Sequence, residues 1–568
     1  MNSMKFRIKC AFLLAIIIVF LGSLAQADSL TDQVDELFKT WDKPDSPGCA
    51  LGVIKDGQFI YRRGYGMANL EYNIPLNSRS VFRIGSTSKQ FTAMCIALLE
   101  EQGKISVDDS LRKYFPEMPE YANDIKIRHL LHHTSGIRDY LTLWRIAGER
   151  NDDFFIDPEV VALIARQKEL NFNPGDEFLY SNSGYFLLSE IVKSVTGKSM
   201  GVFAEEYIFK PLGMKNTHFH DDHTMIVKNR ASGYSPLRGG GFRISMTTLG
   251  MIGDGGVFTC VDDLLLWDRN FYNNRLGKGG QELIDRILTP GKLNNGEGLD
   301  YAYGLGIGDY KGLRMISHGG AFVGFRADMI RFPEQKFSVI CLANLSRINP
   351  SQLARKVADV YLAGQFKEDK TEKKPTPKPR FIKLSEAELK EKTGAFRNPQ
   401  TGTIWRISLR KETLEVYTFL YRFSISPVSQ RKFLSIDAPM ELEIEFEKKA
   451  KKEPMIIRVK REGRDPYMME PVVLVSPTAE ELEELVGEYT SEELQVTYGL
   501  ELKEGKLFLV HENRYKDYPD SPLEPTLRDN FMISGMQVQF FRNEQNNVES
   551  FTVNAGRVKN IRFVRKNK

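Results

Sequence analysis

The rhythm of apolar positions changes several times along the chain. Residues 11–25 read AFLLAIIIVFLGSLA, an apolar run behind Lys5, Arg7 and Lys9 and ahead of the small residues Ala25-Gln26-Ala27. A basic flank, a short apolar stretch and a small-residue exit make the three-part layout of a secretory leader, and the run is short for a membrane span. We therefore expect residues 1–27 to be a signal peptide and the protein to be exported, periplasmic or secreted. From Cys49 the pattern becomes strand-like: CALGVIK, the pair Asp56-Gly57 and QFIYRRGYG predict a hairpin. Helical periodicity dominates the middle, as in QFTAMCIALLEEQG and SNSGYFLLSEIVKSV. Strands return in RMISHGG, RADMIRF and FSVICLANL, followed by the helix-patterned SQLARKVADVYLAGQF. Strands flanking a helical insert predict one antiparallel sheet completed by both ends of the region 28–366, with a helical subdomain, in the α/β (α+β) class.

The pattern breaks at KEDKTEKKPTPKPR, where charge and the prolines 375, 377 and 379 leave nothing to pack. Residues 367–383 read as an extended linker. Beyond it LSEAELKEKTGAF from Leu384 repeats as PTAEELEELVGEY from Pro477, at a constant offset of 93. Both openings carry a capping box, Ser385 with Glu388 and Thr478 with Glu481, and a Gly-x-aromatic follows each. Short alternating segments then predict two small antiparallel β-barrel modules, 384–475 and 476–568, with a continuous sandwich as the alternative.

Composition narrows the functions. At 568 residues the chain exceeds one core, and its 42% hydrophobic and 27% charged content is that of ordinary globular proteins. Setting aside the three basic residues of 1–27 lowers the net charge from +4 to +1, so nucleic acid is not an expected partner. Cys49, Cys95, Cys260 and Cys341 are scattered and signal neither a disulfide scaffold nor a zinc site; their pairing stays open. HFHDDH at 218–223 fits a metal-binding letter pattern, but few histidines follow it, and loop polar residues are the better reading. His129, His132 and His133 share a helical stretch and read as structural. GDGGVF at 253–258 has no following Lys-Ser/Thr and reads as a turn before the helix VDDLLLW. We expect no metal and no cofactor.

The remaining chemistry lies in Ser-x-x-Lys, which occurs at Ser86, Ser110, Ser408 and Ser429. Only Ser86 precedes a long apolar helix, where free N–H groups and the dipole gather. Lys89 then lies one turn on along the same face, an amine against a hydroxyl, and such a lysine serves as base when burial disfavours its charged form. FRIGSTSKQFTA resembles the first motif of the serine β-lactamases, penicillin-binding proteins and their esterase and aminopeptidase relatives. PGDEFLYSNSGYFLLSEIV resembles the second, Tyr-x-Asn, with Tyr180 and Asn182; Tyr121-Ala-Asn123 and Tyr272-Asn-Asn274 match by letters alone. His318-Gly319-Gly320 in MISHGGAFVGF stands where the family commonly has Lys-Thr-Gly, which resembles the D-aminopeptidase and esterase branches with C-terminal lipocalin-like modules.

By that resemblance Ser86 is the nucleophile and Lys89 and Tyr180 pass the proton. The N–H groups of Ser86 and Ala321 form the oxyanion hole beside Gly319 and Gly320. Asn182 and His318 position substrate, with His318 carrying charge below its pKa. The function implied is a serine hydrolase cleaving a small peptide or ester substrate, first a peptidase on small or D-configured peptides. A carboxylesterase and a β-lactamase or D-Ala-D-Ala carboxypeptidase are alternatives within the class; a catalytically silent binding protein is the alternative outside it. The modules are expected to send the loop HENRYKDYPDSPLEPTLRDN, 511–530, over the cleft, or else to bind cell-wall polymer or another surface.

Overall fold

The computed structural model describes residues 30–566 apart from 151–154, 238, 367–380, 420, 437, 439–440, 449–452, 462–465 and 512–520. Residues 1–27, read as a signal peptide, and most of the stretch read as a linker lie outside the described residues. Two compact units form, one of 1–141 with 150–370 and one of 142–149 with 371–568.

The first unit is built on a six-stranded antiparallel sheet. β1 (Cys49–Lys55) and β2 (Gln58–Tyr65) make the expected hairpin. Asp56 and Gly57 both take positive φ, 49° and 72°, the turn whose twist matches its strands. β3 (Gly306–Tyr310), β4 (Leu313–Phe322), β5 (Phe325–Phe332) and β6 (Phe337–Ala343) complete the sheet in the order β3-β4-β5-β6-β1-β2. β6 pairs with β1 from Cys49↔Ala343 to Lys55↔Phe337, so the two ends of the region do close one sheet. Helices α1 (30–38), α4 (Val261–Asn270) and α5 (Pro350–Leu362) pack on it, and α2 (Lys89–Glu101) and α3 (Asn182–Thr196) pack on each other in the helical insert.

Period-2 alternation sends Leu51, Val53, Val339 and Cys341 to one face, where they pack in one core with Val34 and Phe38 of α1 and Leu353 and Val357 of α5. Burying each such aliphatic side chain contributes roughly 1.5–3 kcal/mol. The opposite face takes the helical insert. Gly52 makes room for Val261, whose Cγ1 would lie 2.5 Å from a Cβ at that position. Asp268 of α4 accepts from Arg331 Nε and Ser338 Oγ at 2.8 Å each, and all three are buried. Trp267 tilts against Phe91 of α2 at 4.5 Å and donates to Gln90 Oε1 at 2.6 Å. Helix α2 is thereby held against α4.

The second unit holds two curled sheets. Eight strands from Gly394–Arg397 to Tyr467–Val472 form a closed barrel, sealed by Phe396↔Pro471 pairing, and Trp405, Val416, Ile425, Phe433 and Ile444 fill its interior. The following nine-stranded sheet has Ser521–Pro522 and Glu524–Leu527 as its edges. Only Leu523 separates those edges in the chain, so the sheet curls nearly shut. Barrels, not a continuous sandwich, are the outcome. Both capping boxes form: Ser385 Oγ accepts from Glu388 N at 3.3 Å and Thr478 Oγ1 from Glu481 N at 3.2 Å. Residues 511–530 are not one loop, since strands run from Ser521, and 512–520 lie outside the described residues. Within this unit the Tyr498 hydroxyl donates to the Ile146 carbonyl.

Candidate active site

Ser86 sits on the tight turn Gly85–Ser88 that leads into α2. Gly85 has φ +51°, and a Cβ on it would stand 2.8 Å from Ala321 N; a Cβ on Gly320 would stand 1.8 Å from the Ile84 carbonyl oxygen. These glycines let the turn and β4 press together backbone to backbone. Thr87 Oγ1 ties the same elements by donating to the His318 carbonyl at 3.0 Å. Ser86 is partly exposed between buried neighbours, and the Ala321 amide lies beside its turn, as a two-donor oxyanion site requires.

Lys89 is fully buried. Its Nζ lies 3.3 Å from Ser86 Oγ, 2.9 Å from Asn182 Oδ1 and 2.7 Å from the Asp254 carbonyl oxygen. The rings of Tyr180 and Tyr185 stand 4.8 and 5.3 Å from it. Asn182 opens α3, and both its N and its Nδ2 donate to Asp139 Oδ2, at 2.7 and 2.8 Å. With Nδ2 committed to a carboxylate, Oδ1 is left for the lysine. First and second motifs therefore converge on one amine.

His318 extends from β4 into the same region, its ring 6.2 Å from that of Tyr180. Its Nε2 lies 2.9 Å from the Tyr301 hydroxyl and its Nδ1 2.7 Å from the Gly319 carbonyl oxygen. Burial, and secondarily the charge of Lys89, push it down to about 4. The expectation that His318 carries charge below its pKa therefore applies only at acid pH, near about 4. The Tyr301 hydroxyl also meets His133 Nε2 at 3.2 Å, and Ser181 N donates to His133 Nδ1 at 3.2 Å.

GDGG is a turn before α4, as read, and it is also the floor of the site. Arg83 Nε reaches the Gly255 carbonyl at 3.1 Å, Lys89 that of Asp254, Thr92 Oγ1 that of Gly253 at 2.6 Å, and Ser88 Oγ accepts from Val257 N at 3.0 Å. The Asp254 carboxyl is raised above its ordinary value by burial, against the pull of Lys89 and Arg83, and its Oδ2 accepts from the Tyr140 hydroxyl at 3.2 Å. Asp139 and Tyr301 escaped the sequence reading, which took His133 as structural and Asp254 as part of a turn. An aspartate inside a glycine run was the one visible signal, for Asp254.

The other serines serve local structure. Ser110 Oγ accepts from Arg112 N, Ser429 Oγ accepts from Lys432 N, and Ser408 lies within a barrel strand. Tyr121 donates to the Gln167 carbonyl and Asn274 to those of Leu276 and Gly280, so neither forms a second motif. His218 and His220 face each other at 3.1 Å over Phe258. Among the described residues no group of three or more His, Cys, Asp or Glu side chains is arranged to hold a metal. Cys49, Cys95, Cys260 and Cys341 are buried free thiols.

A beta-lactamase family model matches residues 33–363. A D-aminopeptidase of Gluconobacter oxydans is 28% identical over 332 residues, covering 58% of this chain and 62% of that protein. Penicillin-binding protein 4* of Bacillus subtilis is 30% identical over 348 residues, 58% of this chain and 75% of its own length. The chain thus spans less than two thirds of the D-aminopeptidase it matches. An octameric penicillin-binding protein homologue from Pyrococcus abyssi has the same fold, with a TM-score of 0.54 at 24% identity over 78% of this chain and 99% of its own.

Proposed function

Because the chain belongs to the beta-lactamase family of serine hydrolases, we propose that it is an exported acyl-transfer hydrolase that opens amide bonds of small or D-configured peptides through an ester on Ser86. Ser86 Oγ attacks the carbonyl, and its proton passes to the Lys89–Tyr180 pair and on to the leaving amine. The N–H groups of Ser86 and Ala321 hold the oxyanion between them. Water then releases the acyl group by the reverse proton path. One observation carries this reading: a fully buried Lys89 Nζ that touches Ser86 Oγ and Asn182 Oδ1 under the Tyr180 ring. The D-aminopeptidase similarity supports the substrate class, and the leader pattern of 1–27 supports export.

The neutral His318 favours substrates without a free carboxylate near the scissile bond, which keeps esters as the second substrate class and places β-lactams last. A fluorophosphonate probe should form one adduct on the peptide containing Ser86, and Ser86→Ala should abolish it while the fold persists. Labelling that survives the change, or falls on Ser110, rejects the assignment. A panel of D- and L-aminoacyl anilides, p-nitrophenyl esters and nitrocefin then ranks the substrate classes.

A further inference from the structure

Four groups separated widely in sequence form one line of hydrogen bonds, with the Tyr185 hydroxyl beside its middle member Tyr301. At one end Ser181, between Tyr180 and Asn182, donates its backbone N–H to His133 Nδ1 at 3.2 Å. That nitrogen must therefore carry a lone pair, so the proton of His133 sits on Nε2 and points to the Tyr301 oxygen, 3.2 Å away. The Tyr301 hydroxyl then spends its own hydrogen on His318 Nε2 at 2.9 Å. At the far end His318 Nδ1 lies 2.7 Å from the Gly319 carbonyl oxygen, which can only accept. All three side chains are buried, at 1% (His133), 7% (Tyr301) and 8% (His318) exposure. His133 also holds a left-handed backbone conformation, φ 57°, which a non-glycine residue keeps where its surroundings fix it.

We infer that His133 and Tyr301 are positioning residues that hold His318 as a neutral imidazole with its proton on Nδ1, and so give the site a third motif without a cation. A second proton on His318 would aim two N–H groups at the Tyr301 oxygen and turn its hydroxyl hydrogen away to the Tyr185 hydroxyl, giving up the bond to His318 in a buried site beside Lys89. His133 cannot yield by switching tautomer, because that would set its Nδ1–H against Ser181 N–H. The other groups facing His318 offer a proton no partner carboxylate: the Lys89 amine on α2, the Tyr180 ring and, on β5, Met329. With both ring nitrogens engaged, His318 acts as a neutral wall and strand anchor. The substrate class that fits is an amide, ester or peptide with no carboxylate beside the scissile carbonyl.

This deepens the acyl-transfer reading and rests on it only for the substrate class. The test is NMR of the full-length protein with labelled histidine rings, followed over about pH 5–8, where an ordinary histidine titrates. The His318 signals are assigned by their loss in His318→Gln. In the wild type His318 should remain one neutral Nδ1–H tautomer throughout. Tyr301→Phe should release it, seen as a second tautomer or a titration inside that window. A wild-type His318 that titrates there, or sits as the Nε2–H form, overturns the inference; so does a Tyr301→Phe spectrum with His318 unchanged. The wild-type arm decides by itself if the variant does not fold. In parallel, the acylation rate for a carboxylate-bearing p-nitrophenyl ester relative to its carboxylate-free counterpart should stay low and flat with pH. A ratio that rises as pH falls counts against a cation-free third motif. Since the spectrum needs no turnover, a locked His318 in a protein that hydrolyses nothing rejects the acyl-transfer reading and leaves the relay standing.

Discussion

His129, His220 and His318 are each pushed down to about 4, first by burial and then by neighbouring positive charge. In the unfolded chain a histidine takes up its proton near 6.5, whereas these stay bare until about 4. The unfolded state binds more protons in between, so their contribution to stability is full above about 6.5 and is lost as pH falls toward about 4. Asp254 and Asp328, raised by burial, act in the opposite sense, so the informative quantity is a difference. Urea midpoints of the wild type should fall over this window more steeply than those of His318→Gln; parallel curves would mean that His318 charges in the fold. At this scale the sequence shows which side chains could do chemistry. Ser86, Lys89, Tyr180 and Asn182 were legible because their letters sit at a helix start. Asp139, which orients Asn182 from 43 positions away, leaves no trace in the letters around either residue.

Among the elements, the contact of β4 with the Gly85–Ser88 turn is the most demanding. Gly320→Ala would place a methyl 1.8 Å from the Ile84 carbonyl oxygen, backbone that has no flexible end to give way. The strand or the turn must shift, and a displacement of about 1 Å at the reacting atoms costs on the order of 100-fold in rate. Gly320→Ala should therefore lose about that much in fluorophosphonate labelling at Ser86, while circular dichroism retains the mixed spectrum; labelling at the wild-type rate would mean that β4 does not set the oxyanion geometry. Elements were the most legible level. Hairpin turn, capping boxes and strand alternation depend on contacts within a few residues, and each is present as read. The stretch 511–530 was misjudged because polar, proline-bearing residues also suit short edge strands such as Glu524–Leu527.

At the scale of the whole molecule, the catalytic unit and the barrels keep separate hydrophobic cores. A chain ending at Gly364 retains the six-stranded sheet and all the motif residues, so it should still label at Ser86. It loses Tyr498, whose hydroxyl holds the Ile146 carbonyl of a segment continuous in the chain with Asp139 and Tyr140. If the barrels restrict substrates, the shortened chain accepts larger acyl groups than the full chain; an identical profile assigns the barrels to binding a surface or polymer. The sequence by itself determined the order of the elements, the two repeated modules and the residues that carry the acyl-transfer motifs. The first two rest on periodicity, caps and spacing, short-range properties of the chain; the last rest on the resemblance of short phrases to the family's motifs. Only the tertiary structure decided that Asp254, 165 positions on, hands its carbonyl to Lys89, and that Tyr301 joins His133, 168 positions earlier, to the third motif. Such pairs meet because the sheet closes on residues from both ends of its region, and that closure sets the Tyr301 hydroxyl and the Gly319 carbonyl against the two nitrogens of His318.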